Sequence, residues 1–105
     1  MFVALYEMVA KPGRELAFES AWAEVTDAIY RVRGSFGSRL HRSENPRTYV
    51  AYAQWPSRTI YENNQNEGQF TKEEREAVVR MKEAAEQIKT LHLMDVLDDR
   101  FKPVQ

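Results

Sequence analysis

The sequence predicts an α+β fold of the ferredoxin-like type. That is a βαββαβ chain whose four strands form one antiparallel sheet with both long helices on one face. Three observations carry this. Strand and helix signals follow one another as strand, helix, strand, strand, helix, strand along 105 residues. A single hairpin signal, Glu44-Asn45-Pro46, sits in the middle of that order. The first and third strands, which this topology makes the central pair, are also the two most apolar.

Residues 2–10 read as the first strand. Phe2, Ala4, Tyr6 and Met8 fall on one face; Val3, Leu5 and Val9 fall on the other, with Glu7 among them. A strand apolar on both faces is one covered on both faces. Lys11-Pro12-Gly13 ends it. Residues 14–33 read as a helix, because Phe18, Trp22, Val25, Ile29 and Val32 recur at intervals of four, three, four and three. Gly34 is its stop signal, with Arg31 and Arg33 in the last turn.

Residues 36–43 and 47–55 read as the hairpin strands, the second largely apolar on both faces. Ser57 is a candidate N-cap for a short helix through about Asn64, and residues 63–68 form a polar, mobile loop. Thr71 and Glu74 make a capping-box pattern. The helix they open takes its stripe from Val78, Met81, Ala85 and Ile88, and Leu91 to Leu97 reads as the last strand. The tail from Asp98 is polar. With both helices on one face, the other face carries Val3, Leu5, Val9, Val50 and Tyr52. An apolar face of that extent is unusual on a monomer, so a homodimer through it is expected.

Totals narrow the classes. The length suits a single domain over residues 1–105. Fifteen basic against sixteen acidic residues give a net charge of −1, so neither nucleic acid nor an anionic membrane is expected as a partner. No cysteine is present, which excludes disulfides, thiolate metal sites and cysteine nucleophiles. The start of the chain has no signal-peptide pattern and no apolar run is long enough to span a bilayer, so the expected location is cytoplasmic. Gly-rich phosphate loops, nucleophile elbows and H-E-x-x-H are all missing, and the two histidines, His41 and His92, stand alone on predicted strands. Neither a metal nor a cofactor is expected.

Lys11-Pro12-Gly13 after the first strand, the helix with Phe18 and Trp22, Gly34-Ser35-Phe36-Gly37 before the second strand, and Trp55-Pro56-Ser57 after the third follow in an order that resembles the antibiotic biosynthesis monooxygenase family of dimeric α+β barrels. The resemblance covers roughly residues 2–97. It implies a cofactor-independent monooxygenase acting on a quinol-like or polycyclic aromatic molecule. Haem-degrading members resemble one another in an Asn on strand one, a Trp after strand three and a His on the next helical segment. This chain matches only the Trp, as Trp55; Tyr6 lies near the Asn position and residues 57–90 hold no His.

Trp55, Tyr6 and Phe36 are the expected pocket walls for a small aromatic ligand, with Tyr49 as a polar handle. Strand parity puts Trp55 on one face with Tyr49, Ala51 and Ala53, where the alanines leave room. Trp22, on the helix stripe, reads as core. Catalytic residues are not identified. Two other readings stand beside the oxygenase. One is a non-catalytic ligand-binding or dimerisation module, since no convergent acid–base pair is visible. The other is an isomerase or lyase of the same barrel superfamily, which needs His41, His92 or Asp95 at the cavity as a proton carrier.

Overall fold

In the computed structural model, which describes residues 1–65 and 68–103, the order is β1 (Phe2–Ala10), α1 (Glu15–Arg33), β2 (Gly37–Arg42), β3 (Thr48–Trp55), α2 (Arg58–Asn63), α3 (Lys72–Ala84) and β4 (Ala85–Asp95). The sheet runs β2-β3-β1-β4 with every neighbouring pair antiparallel. This is the predicted ferredoxin-like fold, with β1 and β3 at its centre. The expected loop over 63–68 falls partly on residues outside those described.

Alternation along the central strands builds the core. Met8 and Ala10 of β1 and Tyr49 and Ala51 of β3 pack with Phe18 of α1 and Ala84 of α3. A second cluster joins the helices through Val25, Ala28, Ala77 and Val78, with Phe70 from the preceding loop. Gly34 closes α1 at φ 74°, a left-handed turn that costs a residue with a Cβ. Thr71 and Glu74 form the predicted capping box: Thr71 Oγ1 accepts from the Glu74 amide at 3.1 Å, and Glu74 Oε1 accepts from the Thr71 amide at 2.7 Å.

One boundary differs from the sequence reading. The second long helix stops at Ala84, and Ala85 and Ile88 belong to β4. Their spacing of three looks helical, yet both lie on the helix-facing side of the strand. A register shift explains this. Ala85 pairs with Ala10 and Ile88 with Met8, so three steps on β4 match two on β1. The irregularity between Val9 and Ala10 absorbs the extra residue, as a bulge does. A second shift, between Leu5 and Tyr6, passes over Leu91. The last strand is therefore Ala85–Asp95 rather than 91–97.

The far face of the sheet is less bare than expected. Val3 is fully buried, and Leu5, Val9, Val50 and Tyr52 are half-buried. The segment after β4 lies against this face. Val96 donates its amide to the Met1 carbonyl at 2.9 Å, and Val96 and Phe101 border a groove with Tyr52.

Candidate functional site

Between the sheet and the helices lies a cavity of about 170 Å³. Its floor is Ala51 and Ala53 of β3, two small side chains where larger ones would close the space. Trp55 and Tyr6 wall it from the sheet, and Trp22 and Ile29 from α1. Met81 of α3 and Ile88 of β4 complete the apolar surface. Few of the lining residues carry polar groups: Arg33, Thr26, Ser35, Ser38 and Gln65, besides Tyr6 and Trp55.

Trp55 ends β3 because Pro56 breaks the ladder, and Ser57 then caps α2 by accepting from the Ile60 amide at 3.1 Å. That sharp turn brings Tyr61 of α2 back over the strand. Its ring meets Trp55 edge-on at 5.4 Å and Phe2 at 5.3 Å, and its hydroxyl lies 3.2 Å from that of Tyr6. Burial first, and the hydrogen bond to Tyr61 second, push the Tyr6 hydroxyl well above the ordinary tyrosine range. Tyr6 thus stays protonated at neutral pH and is no base there, and either hydroxyl of the pair can donate to the other. The Trp55 indole nitrogen is buried and has no hydrogen-bond partner among the described residues.

The expected site residues separate into two groups. Trp55 and Tyr6 come together at the cavity. Phe36 and Tyr49 do not line it. Phe36 is exposed and borders a groove on the opposite sheet face with Arg39, His41, Tyr52 and Gln54. Tyr49 shares the face of Trp55 but lies deeper along the strand, against Phe18 at 5.0 Å. Its hydroxyl donates to Glu19 Oε2 at 2.6 Å, and Arg42 donates to the same oxygen at 3.0 Å. The Tyr49 hydrogen bond, helped by Arg42, holds the Glu19 carboxyl below the usual carboxylate range. Tyr49 is a structural tie between β3 and α1.

Trp22, expected as core alone, is also a wall of the cavity. Sequence reasoning missed Tyr61 and Arg33. The only signal for Tyr61 was an aromatic on a short capped helix directly after Trp55. Arg33, read as a dipole-favoured cation, lies 4.6 Å over the Phe70 ring and lines the cavity. His41 and His92 sit on the far sheet face, opposite Val50 and Leu5, and Asp95 lies opposite Phe2 at the strand end. None of the three lines the cavity. Among the described residues no cluster of three or more His, Asp or Glu could hold a metal ion, and no helix is long and apolar enough to cross a membrane.

Topology and packing define a small α+β protein of the ferredoxin-like type with an aromatic-walled cavity between sheet and helices. The family model for antibiotic biosynthesis monooxygenases matches residues 1–76, and the chain belongs to that family. Similar solved structures include SnoaB of Streptomyces nogalater, a cofactor-independent oxygenase. It is 14% identical at a TM-score of 0.71, covering 93% of this chain and 94% of that one. PA3566 of Pseudomonas aeruginosa is 21% identical at 0.67, covering 92% and 94%. Rv0793 of Mycobacterium tuberculosis is 12% identical at 0.69, covering 93% and 96%. At these identities the likeness speaks for the fold alone. Among curated proteins, none matches the chain by sequence.

Proposed function

We propose that this chain is a cofactor-independent monooxygenase for a small quinol-like aromatic ring, working as a cytoplasmic homodimer packed through the far sheet face. The observation that carries the reading is the buried, unpartnered Trp55 indole N–H in the wall of an apolar cavity. Indole donates and never accepts, so an occupant that satisfies it must bring an acceptor oxygen. A phenolate or quinone carbonyl does so while its ring fills the apolar space.

Size favours a small ring over a polycyclic one. Cavities of ~150 Å³ hold a benzene-sized molecule, whereas drug-sized ligands occupy ~300–1,000 Å³. At about 170 Å³ this cavity belongs with the first group. In such a reaction the ring is the reductant. For a phenol, the carbon para to the hydroxyl takes one atom of O₂ and becomes a carbonyl. The other oxygen atom leaves as water. The protein's part is to hold the ring oxygen at Trp55, to exclude water, and to favour the ring anion with the Arg33 guanidinium in the wall. Tyr6, kept protonated, adds no base.

One observation favours a binding module instead: among the described residues no carboxylate or imidazole lines the cavity. Without one of those, the isomerase or lyase reading has no proton carrier. The test is a titration with phenol and with 2-methylphenol, read by tryptophan fluorescence, beside an oxygen electrode. Trp22 remains as reporter in Trp55→Phe, because it lines the same cavity. Expected are binding and O₂ uptake by the wild type, and roughly three- to tenfold weaker binding by Trp55→Phe with little change in melting. Binding with no O₂ uptake favours the module. No binding by either protein sinks the cavity reading.

A further inference from the structure

We propose that the occupant of the cavity is an acidic ring, a small hydroxyaryl carboxylate whose carboxylate is held by Arg33. This rests on the oxygenase reading above and narrows its substrate class. Among the described residues that line the cavity, Arg33 is the one charged side chain. It ends α1, and Gly34 then turns the chain at φ 74°. The link that follows is pinned beside Trp55. The Phe36 amide and Ser35 Oγ both donate to the Gln54 carbonyl, at 2.8 and 3.3 Å. Arg33 and Trp55 therefore stand at the same end of the cavity. Met8, opposite Tyr49, and Ile88, opposite Met8, wall it further down the sheet.

The Arg33 charge is felt inside. Its Nε is buried, and a charge reaches further where water is excluded. Burial and Tyr61 raise the Tyr6 hydroxyl, and Arg33 works against both through its charge. Stacking on the Phe70 ring uses the flat face of the guanidinium, whereas its hydrogen bonds leave from the edge. The serine hydroxyls do not serve an anion. Ser35 and Ser38 give their protons to main-chain carbonyls, of Gln54 at 3.3 Å and of Tyr52 at 3.1 Å. What the wall offers an anion is the Arg33 guanidinium and the buried Trp55 indole N–H. A phenol is neutral near pH 7, as an unperturbed tyrosine is, while a carboxylate is already charged. Its two oxygens also match the guanidinium fork.

Chemistry fixes where the acid stands on the ring. The carbon para to the hydroxyl takes one oxygen atom and becomes the carbonyl, so it must carry hydrogen. That hydrogen and the hydroxyl's leave with the second oxygen atom as water, and the carboxylate is untouched. A carboxylate para to the hydroxyl blocks this step. Ortho or meta placement leaves the carbon open. It also puts both polar groups on one side of the ring, the hydroxyl oxygen toward Trp55 and the acid toward Arg33.

The experiment is isothermal titration calorimetry of the full chain with 3-hydroxybenzoate and with 3-methylphenol, which sets a neutral methyl where the acid stands. The variants are Arg33→Met and, as a control for loss of one positive charge, Arg14→Met at the other end of α1. Expected is wild-type binding of 3-hydroxybenzoate about tenfold or more tighter than of 3-methylphenol. Arg33→Met should lose that preference and Arg14→Met should keep it, with melting run on each variant. The wild-type comparison decides even where Arg33→Met does not fold. A wild type that binds the two alike overturns the carboxylate and leaves the aromatic cavity standing. A wild type that binds neither overturns the cavity reading and the acid with it. A preference that survives in Arg33→Met, or that falls as far in Arg14→Met, overturns Arg33 as its seat.

Discussion

Parity along β3 was enough to place Trp55 over Ala51 and Ala53, because alternation in a strand is rigid and small residues on an inward face leave space. It was not enough for Tyr49, which has the right face but the wrong depth. Depth depends on where the helices cross, and sequence does not carry that. Tyr6 was legible by its strand, whereas its partner Tyr61 was not, because the contact spans fifty-five residues and depends on the Pro56 turn. The pair predicts an alkaline effect. Tyr6 has an ordinary value of 10.0 and is raised in the folded chain, by burial first and by Tyr61 second. Its contribution to stability is therefore fully present below that ordinary value. It is lost as pH rises, because the unfolded chain ionises first. Urea melts between pH ~8 and ~11 should show wild-type stability falling more steeply than that of Tyr6→Phe in the upper part of the range. Parallel curves would mean that Tyr6 is not held protonated by the fold.

At the scale of the element, capping signals were read correctly because they depend on neighbours in sequence. Thr71 and Glu74 meet through the backbone that joins them. The end of α3 was misread for the opposite reason. Ala85 and Ile88 keep one face only because β1 slips by a residue against β4, a fact of strand pairing. The helix start is the more testable end. Glu74 accepts from the Thr71 amide and also pairs with Arg31 of α1, so the cap ties the two helices together. Its carboxyl is held below the usual range by the Thr71 backbone bond first and by Arg31 next. Thr71→Ala should cost about 1 kcal/mol, as losses of helix caps do, with α1 and the sheet intact. Thermal melting checks it, and an unchanged melting temperature would mean that solvent replaces the cap at no cost.

At the scale of the molecule, order of elements and the apolar centre of the sheet made the fold legible. The placement of the segment after β4 beside Met1 and Tyr52 was not, because a segment without periodicity gives no sign of where it lies. What remains open on that face bears on the proposed dimer. Leu5 sits on β1 between Tyr52 of β3 and His92 of β4, half-buried and without an acidic neighbour across either strand. Val50 lies opposite Glu7, so an Asp there would meet a like charge inside one chain and confuse the result. Leu5→Asp is the cleaner probe. In a monomer the new carboxylate stays hydrated and folding should change little. In a sheet-to-sheet dimer it loses its hydration among apolar side chains with only the His92 ring across the strand, a situation that costs several kcal/mol and breaks association. Sedimentation at about 10 µM should therefore give twice the 12.3 kDa chain mass for the wild type and the single chain mass for Leu5→Asp. Both proteins should keep the same far-ultraviolet spectrum. A wild type that sediments as one chain, or a Leu5→Asp variant that stays dimeric, removes the far sheet face as the interface.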